Sequence, residues 1–167
     1  MRGPLLERGQ FSGRAIHAGQ RSSVALSHQC IVTCGAADFA RAAQELTGSP
    51  FLLHGRDPAT GLDCIGLVTS ALRKIGRRIS VCTDYRLRNL DISHLLPAID
   101  QAGFMSAHGP CQPGDLVLLK TAPGQFHLAV AALEGGFVHA HAGLGRVVHT
   151  PAPLAWPTIG HWRLPQS

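Results

Sequence analysis

Cys64, His127 and His139 are the residues of this sequence whose types and order could together do covalent chemistry. Cys64 stands in Asp63-Cys64-Ile65-Gly66-Leu67, where Ile65, Val68, Leu72 and Ile75 recur at helical spacing. That places the thiol at the first turn of a helix, where the positive end of the dipole favours thiolate over thiol. A thiolate attacks carbonyl carbon. The unpaired N–H groups of a helix start can receive the oxyanion that follows, and Gly66 keeps the approach open. Such a nucleophile needs a partner. His127 opens an apolar strand after Gln125-Phe126, and an imidazole there could pair with the thiol and later protonate a leaving amine. A third group should orient that imidazole through its other nitrogen. His139 lies on the next strand, with His141 as an alternative for the same task.

This chemistry sets a geometric condition. Side chains alternate faces along a strand. A strict two-residue turn at Gly135-Gly136 would put His127 and His139 on opposite faces, whereas a three-residue loop or a bulge brings them to one. An irregular turn near 134–136 is therefore expected.

The elements that must hold these groups can be read from periodicity. The 167 residues fit one domain, with 45% hydrophobic and 15% charged residues to form a core. Residues 1–36 lack steady periodicity and read as a flexible N-terminal extension to a domain over 37–167. Phe39, Ala42, Ala43 and Leu46 share a helix face, with Asp38 as N-cap and Gly48 as stop. Residues 49–62 read as a loop of turn chemistry, and the helix of Cys64 follows it, ending at Gly76. Residues 79–92 give no clear signal. Residues 93–102 form a short helix with Ser93 as cap and Pro97 in its first turn. Strands follow at Leu116–Leu119, His127–Leu133, Phe137–Ala140, Arg146–His149 and Ile159–Arg163. Helices first and an antiparallel sheet after them make an α+β protein.

Composition excludes other classes. The net charge of +5 is scattered, and the Arg73-Lys74 and Arg77-Arg78 cluster reads as a solvated helix end without the aromatic interleaving of a nucleic-acid binder. The five cysteines, Cys30, Cys34, Cys64, Cys82 and Cys111, are odd in number and irregular in spacing, which argues against a disulfide framework. Cys30 and Cys34 lack the second pair that a zinc site needs. His139, His141, His149 and His161 are too ordinary a pattern, in a chain with ten histidines, to imply a metal. Nothing approaches the ~20 apolar residues of a membrane span. Ile31-Val32-Thr33-Cys34 has only the outline of a lipoprotein cleavage site, and no secretory signal is expected. His54 and Arg56, in the loop before the nucleophile, either line the cleft or are simply solvated.

The chain resembles the NlpC-type cell-wall peptidases of the papain-like superfamily from about Asp38 to Arg163. The resemblance is carried by Ala42-Ala43-Gln44-Glu45-Leu46-Thr47-Gly48-Ser49-Pro50-Phe51, by Gly61-Leu62-Asp63-Cys64-Ile65-Gly66-Leu67-Val68, by Gln112-Pro113-Gly114-Asp115-Leu116-Val117, by His127-Leu128-Ala129-Val130 and by Gly136-Phe137-Val138-His139-Ala140. It implies a papain-like fold, with N-terminal helices and the nucleophile at a helix N-terminus packed on a C-terminal antiparallel sheet. It implies Cys64 as nucleophile, His127 as base and acid, His139 as the orienting member, and no metal or other cofactor. The reaction implied is hydrolysis of amide bonds in peptidoglycan stem peptides, commonly between D-glutamate and diaminopimelate. Asp63, Ile65 and Phe51 are the implied substrate contacts, with His54, Arg56 and His141 as further candidates.

His139-Ala140-His141 and Gly160-His161-Trp162-Arg163 are similar to the branch found in phages and gene transfer agents. That similarity implies cytoplasmic synthesis, assembly with tail proteins and action on the wall from a tail-like particle. Two positions depart from the family pattern. Phe51 stands where the family usually has a Tyr whose hydroxyl serves the oxyanion, and Ile65 stands where many members have a Ser that helps Asp63 bind a substrate amine. These departures leave two alternatives: a structural tail-assembly subunit of the same fold, and an amidase or acyltransferase on this scaffold.

Overall fold

The computed structural model describes residues 34–81 and 95–166. The extension expected over 1–36 therefore lies almost wholly outside the described residues, as do Cys30, Cys82, the segment 31–33 and the Ser93 cap. Among the described residues no helix is long and apolar enough to cross a membrane.

Helix α1, Ala36–Gln44, buries Phe39, Ala40, Ala42 and Ala43. It begins two residues before Asp38, which sits inside the first turn and accepts the Gly35 N–H there instead of serving as the N-cap. Residues 49–62 hold more order than a loop. Strands β1, Arg56–Asp57, and β2, Gly61–Leu62, form a small antiparallel hairpin. Helix α2, Cys64–Lys74, follows it directly, capped by Asp63 and carrying Arg73 and Lys74 in its last turn, where cations meet the negative end of the dipole. Helix α3, Leu96–Gln101, has Pro in its first turn and Ala98 and Ile99 buried.

A six-stranded antiparallel sheet completes the fold. Its strands are β3, Met105–Ser106; β4, Leu116–Ala122; β5, Gln125–Ala131; β6, Phe137–His141; β7, Arg146–Thr150; and β8, Thr158–Arg163. The order across the sheet is β3-β8-β4-β5-β6-β7, so the C-terminal strand inserts beside β4. Apolar residues alternate as a two-faced sheet requires. Leu116, Leu118, Leu128, Val130, Val138 and Ala140 join the main core with α1 and α2. Val117, Leu119 and Ala129 point the other way, beneath Leu154 and Trp156 of the 151–157 segment.

The β5–β6 turn decides the site. Val130 pairs with Val138 and Ala131 with Phe137, and the Ala132 N–H donates to the Gly136 carbonyl. That leaves Leu133, Glu134 and Gly135 as a three-residue loop, with Gly135 and Gly136 at φ 89° and 74°. The pairing register is of like parity, so His127 and His139 fall on one face, as the chemistry demands.

Candidate active site

Asp63 builds the site from below. Its Oδ1 accepts the Gly66 N–H at 2.7 Å, capping α2, and the Arg56 guanidinium at 2.8 Å. Its Oδ2 accepts the His54 N–H at 2.8 Å. His54 takes a left-handed backbone, φ 62°, to deliver that N–H, a conformation costly for a side chain with a Cβ and held here by the buried carboxylate. A Cβ on Gly66 would lie 2.0 Å from the Gly55 carbonyl oxygen. Gly66 therefore does not open a path for substrate. It lets the start of α2 dock against the turn before β1.

This arrangement corrects two expectations about the cleft. His54 is exposed and Arg56 lies behind Asp63, so neither side chain lines the cavity in which Cys64 sits. Asp63 does reach its wall, but with both oxygens engaged. Phe51, Ile65 and His141 all line it. The cavity holds about 340 Å³ and has a largely apolar wall.

Cys64 opens α2 at the cavity floor, and His127 and His139 line the same cavity. The reason lies in the sheet. Beyond the pairs next to the turn, β5 and β6 do not pair. The N–H groups of Ala132 and Val130 face β6, and by alternation that of Leu128 does too. With β6 parted from it there, the Leu128 N–H lies near the Cys64 sulfur, and it and the Ile65 N–H favour the thiolate.

His127 Nε2 lies 3.0 Å from His139 Nδ1, and His139 Nε2 lies 2.9 Å from Thr150 Oγ1. The other nitrogen of His127, Nδ1, makes no hydrogen bond to another described residue. His141 does not take this place, because its Nδ1 accepts the Leu144 N–H and caps the short 3₁₀ turn Ala142–Leu144. The Trp156 ring packs edge-on against both His127 and His139, with centroids 6.3 Å and 6.0 Å away, and shields their hydrogen bond from water.

The electrostatics differ from the sequence expectation. Burial, and then the Asp63 carboxylate, push the Cys64 thiol up to about 11, against the opposing pull of the Leu128 and Ile65 N–H groups and Arg56. The helix dipole does not yield a resting thiolate, because burial, and then the neighbouring Asp63 carboxylate, outweigh it. Burial, then His139 and His141, lower His127 to about 3, and burial, then His141, lower His139 to about 4. The resting site thus holds a thiol and neutral imidazoles in one cavity.

Thr150 and Trp156 escaped the sequence reading. Both come from the strand and loop after β6, and no local spacing ties them to Cys64. A second group, Cys111, Asp115 and His161, has donor atoms close enough for a metal ion. Asp115, however, already accepts from Arg163 Nε and Nη2 at 2.7 Å each, from His161 Nε2 at 2.6 Å and from the Gln112 N–H at 2.7 Å. Its lone pairs are filled, and a guanidinium lies where a cation would approach.

The sequence profile of the NlpC/P60 family matches residues 48–156. Among solved structures, NlpC2 from Trichomonas vaginalis superposes with a TM-score of 0.53 at 19% identity, covering 78% of this chain and 49% of that one. NlpC1 from the same organism gives 0.50 at 20%, covering 77% and 46%. The NlpC/p60 domain of the peptidoglycan hydrolase SagA gives 0.48 at 22%, covering 80% and 100%. The chain thus spans about half the length of the two Trichomonas proteins, with which it shares the fold. No curated protein matches the sequence.

Proposed function

The chain belongs to the NlpC/P60 family, and from that premise we propose that it is a cysteine peptidase that hydrolyses amide bonds of peptidoglycan stem peptides. One observation carries this reading: Cys64 at the start of α2 shares a cavity with His127, whose Nε2 is held by His139 and whose Nδ1 is left for the thiol. His127 Nδ1 takes the thiol proton as sulfur attacks the carbonyl carbon. The Cys64 N–H at the helix start receives the oxyanion, in a role that the Phe51 ring cannot share for lack of a hydroxyl. The His127 imidazolium then protonates the leaving amine, a thioester remains on Cys64, and water deprotonated by His127 releases the acid. A thiol as high as about 11 makes proton transfer part of the attack instead of a step that precedes it.

The bond proposed is that between D-glutamate and diaminopimelate. His139-Ala140-His141 and Gly160-His161-Trp162-Arg163 support a further part of the proposal, action from a phage-tail or gene-transfer-agent particle in contact with its tail proteins. The test is incubation of the purified protein with defined muropeptides and mass spectrometry of the products. Cleavage at that bond, lost in Cys64→Ala, is the expected result. Intact muropeptides and intact sacculi would favour the structural-subunit alternative.

A further inference from the structure

We propose that Thr150 is a positioning residue that sets the tautomers of the two cavity histidines and thereby decides whether His127 can accept a proton from the thiol. The inference rests on the reading of Cys64 and His127 as nucleophile and base. Its ground is the pair of consecutive hydrogen bonds from His127 Nε2 to His139 Nδ1, 3.0 Å, and from His139 Nε2 to Thr150 Oγ1, 2.9 Å.

A neutral imidazole has one N–H and one lone pair. A chain of two neutral imidazoles must therefore be polarised in one sense or the other. In the first sense His139 Nε2–H donates to the Thr150 oxygen. His139 Nδ1 then accepts from His127 Nε2–H, and His127 Nδ1 carries the lone pair that takes the thiol proton. In the opposite sense the Thr150 hydroxyl donates to His139 Nε2 and His139 Nδ1–H donates to His127 Nε2. His127 then carries its proton on Nδ1 and has no lone pair for the thiol.

A carboxylate in the third position would remove this ambiguity, since it only accepts. A histidine there does not, and no carboxylate is among the groups that shift either ring. The sense of the chain is decided at its far end. When His127 becomes imidazolium both its nitrogens donate, so His139 must accept on Nδ1 and donate from Nε2, and Thr150 must accept. β7 is placed for this: Val148 pairs with His139 and Thr150 with Phe137, which makes Thr150 the diagonal neighbour of His139.

Without an acceptor at position 150 the buried His139 Nε2–H has no partner. Leaving a buried donor unpaired is costly, so the proton moves to Nδ1 and the chain reverses. Thr150→Val keeps the shape and removes the oxygen, whereas Thr150→Ser restores it. The side-chain ¹⁵N shifts of the two histidines in the purified protein report the tautomer directly, and muropeptide turnover reports the consequence. We expect wild type and Thr150→Ser to carry protons on Nε2 of both rings, and Thr150→Val to carry them on Nδ1. We expect kcat to fall by about 10- to 100-fold in Thr150→Val with KM unchanged, as outer-shell partners of reactive groups do elsewhere, and to recover in Thr150→Ser. Nδ1 protonation in wild type, an unchanged tautomer in Thr150→Val, or a serine variant as impaired as the valine one would each overturn the proposal. If wild type turns over no muropeptide, the peptidase reading falls, while the wild-type ¹⁵N spectrum still decides the tautomer claim.

Discussion

Two histidine networks sit in the same sheet and obey opposite rules. In the cavity, His127, His139 and Thr150 form a chain of neutral groups under an aromatic cover. Near the β4–β8 pairing, His161 and Arg163 clasp the fully buried carboxylate of Asp115. Burial alone would raise Asp115, yet the hydrogen bonds from Arg163, the Gln112 N–H and His161 hold it below the usual carboxylate range. The charged cluster pins the Pro113-Gly114-Asp115 turn to the C-terminal strand, and its protons have nowhere to go. The neutral chain has no fixed charge to trap a proton, so in the mechanism proposed His127 can take one from sulfur and give it up again. The charge that stabilises one network would immobilise the other.

The largest effect that separates the two lies in activity. Cys64→Ala and His127→Ala should each lower turnover of muropeptide by at least about 10³-fold, and the double variant should be no worse than either, because the two act as one unit. Thermal unfolding of Cys64→Ala should stay close to wild type, whereas the two variants lacking His127, which leave the buried His139 Nδ1 without its partner, should melt somewhat lower while still folded. A double variant slower than both singles by the product of their effects would show that thiol and imidazole work independently.

The mirror-image effect lies in stability. Arg163→Ala leaves Asp115 buried with His161 and one backbone N–H as its remaining partners. The cost should be about 2 kcal/mol in urea unfolding, within the range for hydrogen bonds to a charged group, with kcat of the folded protein unchanged. If kcat falls instead, the two networks are coupled and the contrast drawn here is wrong.

Acid should separate them as well. His127 is lowered to about 3 in the fold, while an unfolded histidine titrates near 6.5. Between these values the unfolded chain binds a proton that the folded one refuses, so stability falls as pH drops from about 6.5 toward 3. The slope approaches about 1.4 kcal/mol per pH unit for this one ring. Asp115 adds to the loss only as pH falls below the ordinary carboxylate range. Urea midpoints in the Cys64→Ala background between pH 7 and 4 measure the first effect, to which His139, lowered to about 4, adds a like slope, and replacing His127 with Gln should remove about half of it. A midpoint constant down to pH 5 would contradict the buried neutral imidazole.

Much of the fold around the first network was legible in the sequence, whereas the Asp115 network was not. The apolar spacing after Cys64 gave the helix and its start, and apolar runs gave five of the six strands after Gly103, the two-residue β3 excepted. Parity along the strands required a three-residue loop or a bulge near 134–136, and the β5–β6 turn has the loop. All three are local signals. What escaped was settled by contacts far apart in the chain. Arg56 looked as available as any loop cation, but the cap carboxylate of Asp63 claims it. The dipole argument for a thiolate took no account of that same carboxylate on the helix end. The β1–β2 hairpin rests on two residue pairs, too few for any periodicity. Trp156 and Thr150 meet the histidines only once β7 and the 151–157 segment fold back over the sheet.

The smallest expected effect makes the comparison sharpest, because the second network has a cysteine of its own. Cys111 Sγ lies 3.9 Å from His161 Nε2, so a thiol stands beside an imidazole there as well, and it is exposed where Cys64 is partly covered. Proximity alone would make Cys111 the better nucleophile. It lacks the rest: the same His161 nitrogen is held by Asp115, so it cannot accept a proton, and burial together with the Asp115 charge raises the thiol. Cys111→Ala should therefore leave muropeptide turnover within about twofold and stability within about 0.5 kcal/mol, as for a surface substitution. Labelling divides along the same line. A small general alkylator should reach Cys111 by exposure, whereas a peptide-shaped acylating probe should mark Cys64 and lose it in His127→Ala. If the peptide probe marks Cys111 equally, exposure and not the neutral proton chain governs reactivity in this protein.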